Sequence, residues 1–308
     1  MSSTGPIQTP ADAAPARLLP GLALAVAGAI AFSGKAIIVK LAYRYGVDAV
    51  TLIMLRMLFA LPLFAGMAWW ASRGKPPLSR RDWLGVIGLG VSGYYLSSFL
   101  DFAGLQYITA SLERLILYLN PTLVLLLGWL LYRKPFSRVQ LAGMAISYAG
   151  VLLVFGQEVG MAGPEVAWGA TLVFASTITY AIYLVYSGQL VQRLGSLRLV
   201  GLATSVACVF CIVQFLLLRP LEVAFGVAPE VVWLSVLNAT LCTAVPVLLV
   251  MMAIERMGPA LTAQTGMIGP LSTIAMGALI LGEPFTGWIV AGTALVIAGI
   301  WVFTRARR

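Results

Sequence analysis

Ten apolar runs follow one another along this chain with only short polar breaks between them, at 19–42, 49–71, 83–105, 110–132, 139–155, 166–190, 197–218, 231–254, 259–281 and 286–303. A run of about 17–25 apolar residues is long enough to cross the hydrocarbon layer as a helix. Hydrocarbon offers no partner for a free N–H or C=O, and the runs lack the alternation of a lipid-facing barrel strand, so helices are the expected solution. With 60% apolar and 10% charged residues, nothing of soluble-domain size is left over. The fold class is therefore all-α membrane protein, with ten transmembrane helices. Segment 1–17 is rich in Ser, Thr, Ala and Pro and has no basic leader region, so it reads as a disordered cytoplasmic tail ahead of a retained first helix.

The loops give the orientation. With the N-terminus inside, 14 Lys and Arg fall in inner segments and only Arg44 and Arg219 in outer ones. The positive-inside rule then puts both termini in the cytoplasm. The net charge of +9 is a basic surface facing an anionic leaflet and calls for no nucleic acid. The same orientation sets Trp69, Trp70, Trp83, Trp129 and Trp301 near the inner interface and Trp168, Trp233 and Trp288 near the outer one, as aromatic belts.

Composition also excludes chemistries. The chain has no histidine, which removes His-based triads, H-E-x-x-H zinc sites and imidazole-ligated haem. Cys208, Cys211 and Cys242 lie in apolar runs and read as packing residues; Cys208-x-x-Cys211 has no second ligand cluster beside it. No cofactor or metal is expected.

The chain is also written twice. At a constant offset of 149, Pro121 matches Pro270, Gly128 matches Gly277, Pro135-Phe136 match Pro284-Phe285, Gly143 matches Gly292 and Gly150 matches Gly299, without a gap. The repeats divide the chain at 18–156 and 157–308. Each holds five spans, and an odd number of crossings makes the second copy enter with the opposite orientation. Lys134 faces one side and its counterpart Glu283 the other, so the loop charge changes sign with the side. Inverted repeats around a central cavity are a common construction of secondary transporters.

The segments 103–111, Asn120-Pro121 and Gly143…Gly150, with 253–260, Gly269-Pro270, Gly282-Glu283-Pro284-Phe285 and Gly292…Gly299, resemble the EamA repeat of the drug/metabolite transporter superfamily. The resemblance covers the chain after Arg17 and is greatest to bacterial exporters of aromatic and other neutral amino acids. It implies a 5 + 5 inverted arrangement, a cavity lined mainly by spans 1–4 and 6–9, and metabolite export across the bacterial cytoplasmic membrane. Arg133-Lys134 departs from the pattern, since a Gly-Glu pair is common there.

Six charges remain inside the runs: Lys35, Lys40, Arg56, Asp101, Glu113 and Arg114. At about 2.5–3.5 kcal/mol each near a helix centre, they must look inward, pair or snorkel. Lys40 and Asp101 lie near outer ends, where snorkelling or a salt bridge suffices. Glu113 either pairs with Arg56 or Lys35 or meets substrate, and Arg56, Asp101 and Glu113 are candidates for charge pairing or coupling. Asn120, Pro121, Pro246, Gly269 and Pro270 mark broken helices and candidate hinges, because a proline frees the carbonyl four residues earlier.

Polar and aromatic stripes complete the reading. Tyr94, Ser98 and Asp101 share one face, as do Arg114 with Tyr118, Ser176 with Tyr180 and Tyr183, and Asn238 with Cys242; Gln264 and Thr265 adjoin in the ninth run. One stripe alone is interhelical hydrogen bonding, and several together suggest a wet cavity. In the expected site Lys35 and Arg114 take a carboxylate, Tyr94, Tyr118, Tyr180 and Tyr183 meet an apolar or aromatic body, and Ser98, Ser176, Asn238, Gln264 and Thr265 bond polar groups. Gly143, Ser147, Gly150, Gly292 and Gly299 serve close helix packing. The partners are a small-molecule substrate and the bilayer, with the chain a monomer or weak homodimer. An organic-cation exporter of the same fold is the alternative, and an intramembrane enzyme, which would need a catalytic pair, is a remote one.

Overall fold

A computed structural model describes residues 15–132, 137–257, 265 and 268–305. Gln264, Gly266 and the 133–136 loop with Lys134 lie outside the described residues. Every regular element described is helical: α1 (Pro15–Tyr43), α2 (Ala49–Ser72), α3 (Arg80–Leu89), α4 (Ser97–Gly104), α5 (Ala110–Leu117), α6 (Asn120–Tyr132), α7 (Arg138–Ala162), α8 (Glu165–Leu194), α9 (Ser196–Leu218), the one-turn α10 (Glu222–Phe225), α11 (Pro229–Ala239), α12 (Val245–Met257), α13 (Gly269–Met276) and α14 (Gly287–Arg305). Joined end to end where they run on, these make eight described helices long and apolar enough to cross a membrane, with shorter apolar helices at Leu271–Leu281 and Gly287–Val302. α1 begins at Pro15, ahead of the sequence boundary at Arg17.

Local chemistry sets the breaks. Asp48 caps α2 by accepting from the N–H groups of Val50 and Thr51. Ser79 with Asp82 and Ser137 with Gln140 close capping boxes at α3 and α7. Gly195 takes φ +82°, a conformation costly for other residues, and lets α9 start directly after α8. Short connections of this kind make consecutive spans antiparallel. One end of the bundle, the terminal end, therefore carries Pro15, Ser72, Gly195 and Arg305, and the other, the distal end, carries Tyr43, Gly104, Ala162 and Leu218.

Two helices change pitch midway, and a third π-helical stretch, Gly277–Leu281, follows α13. The stretches Gly90–Leu96, between α3 and α4, and Thr240–Ala244, between α11 and α12, are π-helical. They stand at equivalent places under the 149-residue offset of the sequence repeat. The second ends two residues before Pro246, where the sequence predicted a break. The other expected break also has a counterpart: α5 ends at Leu117 and α6 starts at Asn120, with Tyr118 and Leu119 in a turn.

Packing crosses between the two halves of the chain. The largest interhelix contacts are α7 with α14, α2 with α9, α1 with α12 and α4 with α8. On α7 and α14 the expected glycines meet. A Cβ on Gly150 would sit 2.6 Å from the Gly292 carbonyl, and one on Gly299 would sit 2.6 Å from the Gly143 carbonyl. Gly143 faces Gly299 while Gly150 faces Gly292, so the two helices run in opposite directions. All eight tryptophans are exposed, as lipid-facing belts require.

Candidate functional site

A cavity of about 600 Å³ lies within the bundle, inside the ~300–1,000 Å³ range of small-molecule sites. Its wall collects much of the expected set: Lys35, Arg56, Tyr94, Ser98, Asp101 and Arg114, joined by Tyr118, Asn120, Pro121, Ser176 and Tyr180. Phe64, Val124 and Leu184 extend the wall toward the terminal end.

The charges fall into two groups. Lys35 Nζ is 2.5 Å from Asp101 Oδ2 and 3.2 Å from Glu113 Oε1, and none of the three side chains is more than 9% exposed. Lys35 is thus the Glu113 partner, and it carries two carboxylates on one ammonium. Asp101 is held by this pair and does not snorkel. The arginines are different. Arg114 Nε donates to Thr273 Oγ1 at 3.0 Å, and its guanidinium lies 5.6 Å from the Phe32 ring centre. Arg56 Nε and Nη2 donate to Thr243 Oγ1 at 3.3 and 3.2 Å, and its guanidinium lies 5.1 Å from the Phe102 ring centre. Among the described residues neither arginine is paired with a carboxylate. Arg56 Nη1 and Asp101 Oδ1 are buried without a hydrogen-bond partner. A guanidinium donor and a carboxylate acceptor therefore stand unfilled on residues that line the same space. Three cations against two carboxylates leave the site net positive.

The aromatic wall is cross-braced. Tyr94 and Tyr183 hydroxyls are 3.1 Å apart, their rings pack edge to face, and Tyr183 stacks on Tyr180 at 5.4 Å. Tyr183 itself is buried behind the wall: a Cβ on Gly93 would come within 2.3 Å of its ring. Ser176 Oγ donates to the Ser97 carbonyl at 2.7 Å and ties α8 to α4.

Asn238 is also set back from the wall, and its carbonyl accepts from Thr243 Oγ1 at 2.8 Å. Thr265 is half-buried and is not among the lining residues. Pro246 packs near Gly28 rather than on the cavity. Gly269 accepts through its carbonyl from Ser33 Oγ at 2.9 Å and from Thr273 Oγ1 at 3.2 Å, at the start of α13.

Several contacts in and beside the candidate site escaped the sequence reading. Thr243 is the clearest, because regular α-helical spacing pairs Asn238 with Cys242, whereas the wider π turn brings Thr243, five residues on, to the Asn238 carbonyl. The distal end is a second case. There Lys40 Nζ donates to the carbonyls of Leu105 and Ile108 at 3.3 and 2.9 Å, Glu158 accepts from Thr109, and Glu283 accepts from the N–H groups of Ala110 and Ser111 at 2.7 and 3.3 Å. Carboxylates at a helix N-terminus are favourably placed for its dipole. Lys40 thus meets carbonyls and forms no described salt bridge. Glu283 was visible beforehand as the sign-reversed counterpart of Lys134 and as part of the Gly282-Glu283-Pro284-Phe285 segment, but not as a cap on α5.

A charged, aromatic cavity within a multi-pass helical bundle fits a membrane transporter, and the comparisons define that class. The profile of the EamA-like transporter family matches twice, at 19–156 and 167–305. The chain belongs to that family. It is 30% identical to the uncharacterized transporter YcbK of Bacillus subtilis (strain 168) over 83% of each chain. It is 23% identical to an uncharacterized transporter of Archaeoglobus fulgidus over 89% of this chain and 93% of that one. A solved crystal structure superposes with a TM-score of 0.60 at 18% identity, covering 94% of this chain and 99% of the other.

Proposed function

We propose that this chain exports neutral amino acids, preferentially with aromatic bodies, from a bacterial cytoplasm by alternating access. In this reading it has ten transmembrane helices in two inverted halves, and both termini are cytoplasmic. The antiparallel α7–α14 contact, the double family match and the π turns at one repeat offset support the inversion. The distal contacts of Lys40, Glu158 and Glu283 are then the closed outer gate, and the cavity wall running toward the terminal end is the inner vestibule.

The observation that carries the substrate reading is Arg56, a buried residue on the wall with one guanidinium nitrogen unpartnered and no ion pair to a carboxylate among the described residues. Arg56, seconded by Arg114, takes the substrate carboxylate, and Asp101 Oδ1 takes the ammonium. Tyr94, Tyr118 and Tyr180 meet the body of the molecule. Lys35 holds Asp101 and Glu113 in place instead of binding the carboxylate directly.

Purified protein in liposomes should exchange labelled aromatic amino acids. Arg56→Gln should weaken apparent affinity about 10- to 100-fold, the range of a hydrogen bond to a charged group, with the melting temperature kept. The unpartnered Asp101 Oδ1, on a wall that also carries Tyr94, Tyr118 and Tyr180, favours a second reading, export of organic cations. Uptake of quaternary ammonium compounds undiminished by Arg56→Gln, with no amino-acid exchange, would replace the first reading by the second.

A further inference from the structure

A groove of about 660 Å³ runs between α3 and α8 at the terminal end. On the α3 side Arg81, Gly85, Gly88 and Ser92 recur at intervals of four and three residues and face it as one stripe. From Arg81 to Ser92 the stripe is about 16 Å long at 1.5 Å per residue. Its charges are confined to one end, where Arg81 on α3 meets Arg193 on α8. Arg193 bonds Asp82 through Nη2 at 2.9 Å, yet its side chain remains 55% exposed. Arg81 is exposed, and no described carboxylate pairs with it. The remaining floor is small or apolar, and a Cβ on Gly88 would meet nothing within 4 Å.

The groove is not part of the substrate cavity. None of the residues that line the groove lines that cavity. It opens instead on the flank of the bundle, beside the exposed residues Trp83, Leu84 and Ile87. An exposed tryptophan beside an arginine marks headgroup level. An elongated apolar channel with two guanidinium groups at that level, on the end that carries Arg73, Lys75, Arg80 and Arg198 as well, has the charge pattern of an anionic phospholipid.

We propose that this groove is a binding site for one anionic phospholipid, its phosphate on Arg81 and Arg193 and an acyl chain laid over Gly88, alongside the Leu190 side chain that covers Gly85. The site does not depend on what the transporter carries. Its occupant braces α3 against α8, the helix that puts Ser176, Tyr180 and Leu184 on the cavity wall.

The test is lipid titration of the purified full-length protein in detergent, read by native mass spectrometry and by melting temperature, with phosphatidylglycerol against phosphatidylcholine. Phosphatidylglycerol should bind and stabilise at several-fold lower concentration. Arg81→Gln should weaken that binding roughly fivefold, as expected for one basic residue at a membrane surface. Gly88→Leu, which keeps every charge and fills the channel, should abolish the preference while the lipid-free protein still melts normally. Equal binding of the two lipids would overturn the proposal. So would a phosphatidylglycerol preference untouched by Gly88→Leu, which would reduce the arginines to a diffuse basic surface, or competition by soluble glycerol phosphate as strong as by the lipid.

Discussion

Replacing Lys35 by methionine keeps most of the side chain's bulk and removes one charge. The ammonium it deletes lies 2.5 Å from one carboxylate and 3.2 Å from another, all three groups being withdrawn from solvent. At an effective dielectric of about 20, each contact is a gross attraction of roughly 5–7 kcal/mol. Desolvation and the repulsion between Asp101 and Glu113 offset much of this. Removing one partner from a buried ionic group costs about 3–5 kcal/mol, because the remaining charge stays unpaired. Lys35→Met should therefore lower stability by about that amount. Glu113→Gln, which leaves one ammonium with one carboxylate, should cost far less. The triple variant Lys35→Met, Asp101→Asn, Glu113→Gln should recover most of the loss. The assay is thermal unfolding of purified protein in detergent. If Lys35→Met melts with the wild type, or if the triple variant is as unstable as the single one, the cluster does not hold these three helices together and the argument fails.

Two further outcomes follow from positions away from the cavity. Burial alone would raise the Asp48 carboxyl, but the Thr51 hydroxyl and N–H, Arg219 and the Val50 N–H together hold it below the ordinary carboxylate value. A depressed carboxyl stabilises the fold above its unfolded value and loses that contribution as pH falls through the folded one. Asp48→Ala should thus cost about 1 kcal/mol at neutral pH, and the gap between variant and wild-type melting temperatures should close on strong acidification; a gap independent of pH would refute the ionic part. At the α7–α14 crossing, a Cβ on Gly299 would come within 2.3 Å of Ser147 Oγ and 2.6 Å of the Gly143 carbonyl. Gly299→Ala should cost about 1–3 kcal/mol by overpacking, whereas Gly128→Ala, with open space around it, should leave the melting temperature unchanged.

Much of this was legible in the sequence, for physical reasons. Hydrocarbon imposes length and apolarity on a span, so the run at 49–71 anticipated α2 to within one residue. The glycines of the fifth and tenth runs announced close helix packing, because only a missing side chain lets two backbones approach so closely, but not that α7 and α14 pack on each other. Buried charges announced the cavity, but not their pairing. Lys35 and Arg56 look alike on paper, and which of them finds carboxylates depends on how α1, α2, α4 and α5 are turned about their own axes. The same holds for Tyr183, which shares a stripe with the cavity residues Ser176 and Tyr180 and yet is not on the wall, and for Asn238, which is set back as well.

The two mid-helix π turns also carry a lesson about chain length. A wide turn holds one residue more than an α turn, so the portions of helix on either side of it point their stripes about 100° apart. Deleting any one residue between Val91 and Tyr95, or between Thr240 and Ala244, would let the ladder close and swing everything beyond the cut by that angle. Tyr94 and Asp101, or Asn238 and Thr243, would then no longer share their present neighbours. These two helices should accept many single substitutions on their outer faces and tolerate no shortening there, so the number of residues is as much a specification of this protein as their identity.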